Sequence, residues 1–186
     1  MNSLHADFPV VLDTCVLVPA SLCDTLLRLA ERRLYLPRWS TQTMVELERA
    51  LVHKIGLTPQ KAAKRTSAIA EHFRDAVVDD ADALIPAMLN DPKDRHVAAA
   101  AVRIGAEVIV TLNLKDFPPS ALEPFKVEAR HPDRFLIELF DLRPEIVVHC
   151  LHEQAADIGR DLTMLLNTLE RIVPDFVHVV TGHLET

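Results

Sequence analysis

One short apolar run near the N-terminus constrains the fold of this chain more than any other feature. It spans residues 8–18, FPVVLDTCVLV, and its first β-branched stretch stops at Asp13. Continuous apolar character over so few residues predicts a strand buried on both faces of a parallel sheet. Ligands of open α/β sheets bind beyond the carboxyl ends of such strands, where Asp13 stands. Asp13 is therefore a candidate functional residue, although the same residue type also starts turns and caps helices.

A second buried strand is predicted at residues 107–111, and it also ends in a polar cluster that contains Thr111, Asn113 and Asp116. Shorter strands are predicted at residues 34–36 and 76–78, with an edge strand beginning at Val127. Apolar spacing, caps and prolines predict helices between these strands, at residues 21–34, 40–55, 58–75 and 91–105. Ser21 and Ser40 are the predicted caps of the first two helices. Strands that alternate with helices indicate an α/β fold with a central parallel sheet flanked by helices.

The character of the sequence changes after residue 131, where strand signals end. Helices are predicted at residues 132–142, 144–158 and 161–173, while residues 174–180 leave helix and strand open. We expect an α/β domain over residues 1–142 and a small all-α C-terminal extension over residues 143–186. Because so short a segment buries little core alone, the extension is expected to pack on the body or on a partner.

Composition narrows the functional classes. No apolar run reaches the roughly 18 residues of a membrane span, and residues 1–9 lack the pattern of a secretory signal. The 3 scattered cysteines suit free thiols in a reducing cytoplasm. A net charge of −7 argues against a non-specific DNA binder, but clustered carboxylates that hold divalent cations also produce such a charge. We therefore expect a cytoplasmic protein with no membrane partner.

Two further acids are placed to join Asp13 and Asp116: Glu46 lies on the helix of residues 40–55, and Asp94 opens the helix that precedes the second buried strand. Asp94 reaches the same sheet edge only if its helix starts there. Taken singly, each acid has a plain structural role, as a solvated, capping or turn residue. Taken together, like charges at short range are costly unless a hard cation such as Mg²⁺ or Mn²⁺ binds them. Such ions activate water and stabilise the leaving oxygen of a phosphodiester.

Four motifs carry a family resemblance: VVLDTCVLVP around Asp13, STQTMVELERAL around Glu46, DPKDRHVAAAAV around Asp94, and VIVTLNLKDFP around Asp116. With them the sequence resembles PIN-domain ribonucleases, especially bacterial VapC-type toxins, over roughly residues 8–142. The resemblance implies a PIN-like parallel sheet flanked by helices, with an acidic pocket at one edge that binds Mg²⁺ or Mn²⁺. About 40 residues of helix beyond that region depart from the shorter family members.

The resemblance also implies roles for single residues. Asp13, Glu46, Asp94 and Asp116 would form the catalytic and metal-binding quartet, with Glu46 acting directly or through a water. Asp91 competes with Asp94 as the third acid, because the DPKD spacing leaves the alignment open by three residues. Residues expected to face the substrate are Asn113, Thr14 and Arg95. For Arg95 and His96, a position on the helix surface is favoured over contact with a substrate phosphate.

The expected function is a metal-dependent endoribonuclease that hydrolyses RNA and acts as the toxin of a bacterial type II toxin–antitoxin system. The resemblance implies a cognate antitoxin and a homodimer as protein partners. A non-catalytic PIN-like RNA-binding or scaffold module remains the alternative. A phosphotransferase with Asp13 as nucleophile is disfavoured, because Cys15 stands where such enzymes carry a second aspartate.

Overall fold

The computed structural model describes residues 8–185 of the chain. Its centre is one sheet of five parallel strands in the order β3-β2-β1-β4-β5. The strands are β1 (Pro9–Leu12), β2 (Leu36–Ser40), β3 (Val77–Val78), β4 (Val108–Val110) and β5 (Glu128–Arg130). The predicted α/β class, with a parallel sheet flanked by helices, is confirmed.

Helices connect the strands and continue after the last one. Those of the α/β body are α1 (Thr14–Leu17), α2 (Ala20–Glu31), α3 (Thr41–His53), α4 (Pro59–His72), α5 (Arg95–Ile104) and α6 (Pro119–Leu122). Those that follow the sheet are α7 (Pro132–Leu142), α8 (Pro144–Asp157), α9 (Leu162–Leu169) and α10 (Pro174–Leu184). Short 3₁₀ turns precede α5 at Pro92–Asp94 and follow β4 at Leu114–Asp116.

The central strand β1 is buried on both faces, as its unbroken apolar run predicts. Val10 and Leu12 pack into one core with α2 and the C-terminal helices, whereas Val11 packs into a second core with α5. The buried alanines Ala98–Ala101 give α5 a slim surface, so this helix lies close against the sheet. Helix α5 closes at Gly105, whose φ of 66° is the left-handed C-terminal geometry that glycine adopts at little cost.

Three local predictions were wrong. Strand β2 runs through Pro37 instead of ending before it. The backbone of Pro37 points away from β1, toward the opposite side of β2, and β3 does not extend far enough along that side to pair with it. The missing N–H of proline therefore breaks no hydrogen bond of the sheet. Residues 14–17 form the short helix α1 rather than continuing the first apolar strand. Helix α2 begins at Ala20 after Pro19, and the predicted cap Ser21 lies inside it. Residues 174–180, which the sequence left open, belong to α10.

The C-terminal helices pack on the body, and a buried polar contact lies within the apolar core that they form with α2. The buried amide of Gln154 on α8 accepts a hydrogen bond from Thr25 Oγ1 at 2.8 Å and donates one to the Ser21 carbonyl at 2.9 Å. At the rim, Arg28 on α2 and Arg32 directly after it pair with carboxylates of α8. The domain boundary near residue 143 stays a prediction.

Within residues 8–185, no helix combines the length and apolarity that crossing a membrane requires. Residues 1–7, part of the segment over which no secretory signal is predicted, lie outside the described chain.

Candidate acidic site at the carboxyl edge of the sheet

Strand order brings two of the predicted acids to the same edge. Asp13 directly follows β1, and Asp116 ends the 3₁₀ turn after β4, the neighbour of β1 in the sheet. Because the two strands are parallel, their carboxyl ends meet. Asp94 ends the 3₁₀ turn that starts α5, so this helix begins at the same edge, as the sequence hypothesis requires.

A pocket of about 430 Å³ opens at this edge. Asp13, Glu46 and Asp94 line it together with two of the predicted substrate-facing residues, Thr14 and Asn113. Asp116 does not line the pocket directly. Its carboxylate lies behind it, where it accepts hydrogen bonds from the Asn113 amide and from Lys93 Nζ at 2.8 Å.

Asp13 is held by one carboxylate oxygen. Its Oδ2 accepts hydrogen bonds from Thr111 Oγ1 at 2.7 Å and from Cys15 Sγ at 2.8 Å, whereas Oδ1 has no donor among the described residues. Asp13 is the residue directly before α1, but its side chain makes no capping hydrogen bond to that helix. Burial and the neighbouring Asp13 charge raise the pKa of the Cys15 thiol to about 12, so Cys15 stays a neutral donor.

Glu46 reaches the pocket from α3 instead of being the solvated helix residue that its plain structural role would make it. Thr14 Oγ1 donates to its Oε2 at 3.0 Å, and Gln42 Nε2 donates to its Oε1 at 2.8 Å. Burial acts to raise the pKa of Glu46, but His96 and these donors outweigh it and lower the pKa to about 2. Glu46 is therefore a carboxylate at any ordinary pH.

The pKa of Asp94 is shifted in the opposite direction, upward. Burial and the Asp13 carboxylate raise its pKa to about 7, against the lowering effect of the Lys93 ammonium, and Asp116 adds to the rise. The nearest cation is Lys93 Nζ, which lies 3.9 Å from Asp94 and is itself largely exposed. The Asp13 and Asp116 carboxylates thus act against the ionisation of Asp94, and the cation paired with Asp94 among residues 8–185 is exposed.

The two other candidates next to Asp94 lie off the pocket. Asp91 Oδ1 accepts from the Lys93 backbone N–H at 3.1 Å, which makes Asp91 the cap of the 3₁₀ turn. The geometry favours Asp94 over Asp91 as the third acid, and that assignment stays a prediction. Arg95 does not line the pocket, and its Nε donates to the Asn90 carbonyl at 3.2 Å.

His96 was predicted on the helix surface, and this was wrong. It is 3% exposed, and its ring lies against Ser40 at the end of β2, where α3 begins. Its Nδ1 lies 2.6 Å from the Ser40 hydroxyl, which also accepts the capping hydrogen bond of α3 from the Thr43 N–H. Its Nε2 lies 3.3 Å from Glu46 Oε1, within ion-pair distance but without the alignment of a hydrogen bond. His96 therefore connects the cap of α3 to a pocket carboxylate.

The donor chemistry suits a hard divalent cation. The acids offer carboxylate oxygens, the ligand type that Mg²⁺ and Mn²⁺ prefer, and their mutual repulsion is relieved by a bound cation. Within residues 8–185, however, no three acidic, histidine or cysteine side chains already converge closely enough to hold a metal ion. The Lys93 ammonium lies 3.9 Å from Asp94 and 2.8 Å from Asp116.

Comparison with known proteins decides the family. The family model described as PIN domain matches residues 9–115, more than half of the chain. The chain belongs to the PIN-domain family. Three of the acids, Asp13, Glu46 and Asp94, fall inside the matched region of this PIN domain, and Asp116 lies one residue beyond it.

One curated relative of the PIN domain is "Putative ribonuclease VapC50" of Mycobacterium tuberculosis, which is 61% identical over 62 residues. The match covers 33% of this chain and 37% of the relative, so it spans well under two thirds of that protein. No solved structure matches the chain significantly. The predicted resemblance to PIN-domain proteins of VapC type is confirmed by the family model and this relative.

Proposed function

We propose that this PIN domain is a metal-dependent endoribonuclease that hydrolyses RNA phosphodiester bonds with Mg²⁺ or Mn²⁺. The observation that carries the proposal is the meeting of Asp13, Glu46 and Asp94 around one pocket at the carboxyl edge of the sheet, with Asp116 behind it. Membership of the PIN-domain family and the ribonuclease name of its relative support it.

In this proposal, each acid contributes what its surroundings allow. Asp13 presents the oxygen that Thr111 and Cys15 leave free, and Asp94 and Asp116 complete the ligand set. Glu46, fixed as a carboxylate by Thr14 and Gln42, takes part directly or through a water. A divalent ion bound by these residues would activate water and stabilise the leaving oxygen. Asn113 and Thr14 orient the substrate from the pocket wall.

The biological setting that we propose is that of a toxin in a bacterial type II toxin–antitoxin system, acting in the cytoplasm. Its partners would be an RNA substrate, a cognate antitoxin and, as in related toxins, a second copy of the chain. The relative's name supports this setting. An open reading frame for a small antitoxin directly upstream of the coding sequence is the genomic observation that would test it.

A cleavage assay with purified protein tests the activity. Wild-type protein should cleave single-stranded RNA with Mn²⁺ or Mg²⁺ and stop in EDTA. Asp13→Asn should abolish cleavage with almost no change in thermal unfolding, because the amide keeps the shape but loses the charge. Glu107→Gln is the matched control, since Glu107 is exposed at the opposite end of β4. Full activity of Asp13→Asn, prepared free of contaminating nucleases, would refute the mechanism.

The alternative, a non-catalytic RNA-binding or scaffold module, has one observation in its favour. Among the described residues the acids do not yet converge into a metal site, and Lys93 pairs with one of them. A wild-type chain that binds RNA but cleaves none with either metal would support this alternative.

A further inference from the structure

We infer that Arg49, His53 and Lys54, which form the outer wall of the acidic pocket, bind the phosphate backbone of a single-stranded RNA beside the bond to be cut. This inference rests on the proposed function and extends it to the path of the substrate. It concerns a different part of the pocket from the carboxylates.

The three residues share one face of α3 with Glu46. They line the same pocket as the acids, together with Ala50, whose small side chain leaves room between them. At the usual rise of an α-helix, Arg49 lies about 4.5 Å and Lys54 about 12 Å farther along the axis than Glu46. Helix α3 therefore carries an acid at the inner end of the pocket and a line of basic groups leading outward.

These basic groups are unpaired among the described residues. Arg49, His53 and Lys54 are exposed, and none makes an ion pair or a side-chain hydrogen bond within residues 8–185. By contrast, the arginines of α2 and of the β5–α7 region are matched by carboxylates. In a chain whose net charge is −7, a group of unmatched basic residues beside the acidic pocket is available to an external anion.

The arrangement of acidic and basic residues in the pocket favours a single-stranded polyanion as the ligand. The inner carboxylates repel any polyanion that enters without support, whereas the outer guanidinium and ammonium attract its phosphates. The pocket of about 430 Å³ is in the size range of a small-molecule site, which suits the nucleotides of a single strand better than the width of a duplex. Proteins that bind single strands without sequence preference likewise use a positively charged groove that follows the nucleic-acid backbone.

A purely structural role for these residues gives a different expectation. His53 and Lys54 lie at the C-terminal end of α3, where positive charge stabilises the helix dipole. That role does not explain Arg49, which lies in the middle of the helix. It also predicts a loss of stability rather than a loss of RNA affinity when the charges are removed.

The test measures RNA affinity against salt. Fluorescence anisotropy of a labelled single-stranded RNA, with full-length protein in EDTA, separates binding from the proposed reaction. Each phosphate contact contributes about 0.7 to the slope of log affinity against log salt for single strands. We expect the double variant Arg49→Gln, Lys54→Gln to lower this slope by about 1.4. The matched control is Lys61→Gln, Lys64→Gln, which removes the same charge from exposed residues of α4 outside the pocket and should leave the slope unchanged.

The outcomes separate the inference from the proposed function. An unchanged slope in the pocket variant, or an equal drop in the α4 control, overturns the inference even if the protein cleaves RNA. The predicted drop in a protein that never cleaves RNA supports the inference and removes the proposed activity. A pocket variant that loses a protein partner while its RNA slope stays the same would also overturn it.

Discussion

Asp94 and Glu46 line the same pocket, but their pKa values are shifted in opposite directions. Burial and the neighbouring Asp13 raise the pKa of Asp94 to about 7, whereas His96 and Gln42 overcome burial and bring the pKa of Glu46 to about 2. Hydrogen-bond donors offset the burial of Glu46, whereas Asp94 is buried beside the Asp13 carboxylate and has only Lys93 Nζ, at 3.9 Å, to oppose the rise. Of these two acids, Asp94 is therefore the one whose ionised form is destabilised by its surroundings.

This difference predicts a pH dependence of stability. The folded-state pKa of Asp94 exceeds its ordinary value of 3.8, so between about 3.8 and about 7 the folded chain binds more protons at this residue than the unfolded chain. Its contribution to the free energy of unfolding therefore falls as the pH rises through this window. Glu46, whose pKa is lowered, contributes stability above its ordinary pKa of 4.5 that is lost only on acidification below it.

The measurement is urea unfolding in EDTA at a series of pH values. Asp94→Asn cannot titrate at this position, so its stability relative to wild type should increase steadily from about pH 5 to about pH 8. Taking the difference between the two proteins cancels the titration of the histidines. A difference that stays constant over this range would show that Asp94 has an ordinary pKa.

His96 supports a second prediction at this scale, as a positioning residue that acts through Glu46. His96→Ala should lower metal affinity or activity by about 10- to 100-fold, the usual cost of removing a group that orients a ligand. His96→Gln, whose amide nitrogen extends toward Glu46, should restore part of the loss. Arg95→Ala is the neighbouring control and should stay near wild type, because Arg95 faces the Asn90 carbonyl. Equal losses in the Ala and Gln variants would indicate only a packing role.

The residues at strand ends were predictable, and those that depend on packing between helices were not. Asp13 and Asp116 follow from two apolar runs that stop at acids, since parallel neighbouring strands fix where their ends meet. The burial of His96 depends on Ser40, which is distant in sequence. No local pattern reveals such a pairing. For the same reason, the donors Thr111 and Cys15 were not assigned to Asp13, although both lie within the predicted motifs.

At the scale of elements, helix α3 organises the site. Its cap Ser40 is also the last residue of β2, so the start of the helix is tied to the sheet. From there, the helix carries Glu46 to the inner pocket and Arg49 to its outer wall. Its existence and cap were predicted from spacing and from Ser40. Its relation to β2 was missed, because Pro37 suggested that the strand ended early.

A buried carboxylate fixes the start of helix α10 against α7. Asp133 on α7 accepts from the N–H groups of Phe176 at 2.7 Å and Asp175 at 3.2 Å, in the first turn of α10. Asp133→Ala leaves these buried donors unsatisfied and should lower the free energy of unfolding by about 1–3 kcal/mol. Urea titration measures this. Asp161→Ala, which removes the exposed cap of α9, should cost about 1 kcal/mol or less. A smaller loss for Asp133→Ala than for Asp161→Ala would contradict this role.

At the scale of the whole molecule, the family match ends at residue 115, whereas the core continues into the C-terminal helices. Val147, Leu151 and Phe176 are buried with Leu26 of α2 in one apolar cluster. The class of fold was predictable from alternating strands and helices. The docking of α8 on α2 was not, because buried pairs such as Gln154 and Thr25 involve distant parts of the sequence.

The central claim is that the fold assembles separate acids into one divalent-cation site. Titration calorimetry of Mn²⁺ into the metal-free protein tests this most directly, with no dependence on knowing the RNA target. We predict that the wild type and Glu107→Gln bind Mn²⁺, and that Asp13→Asn, Asp94→Asn and Asp116→Asn each lose that binding. No Mn²⁺ binding by the wild type at millimolar concentration, or undiminished binding by all three variants, would contradict the claim.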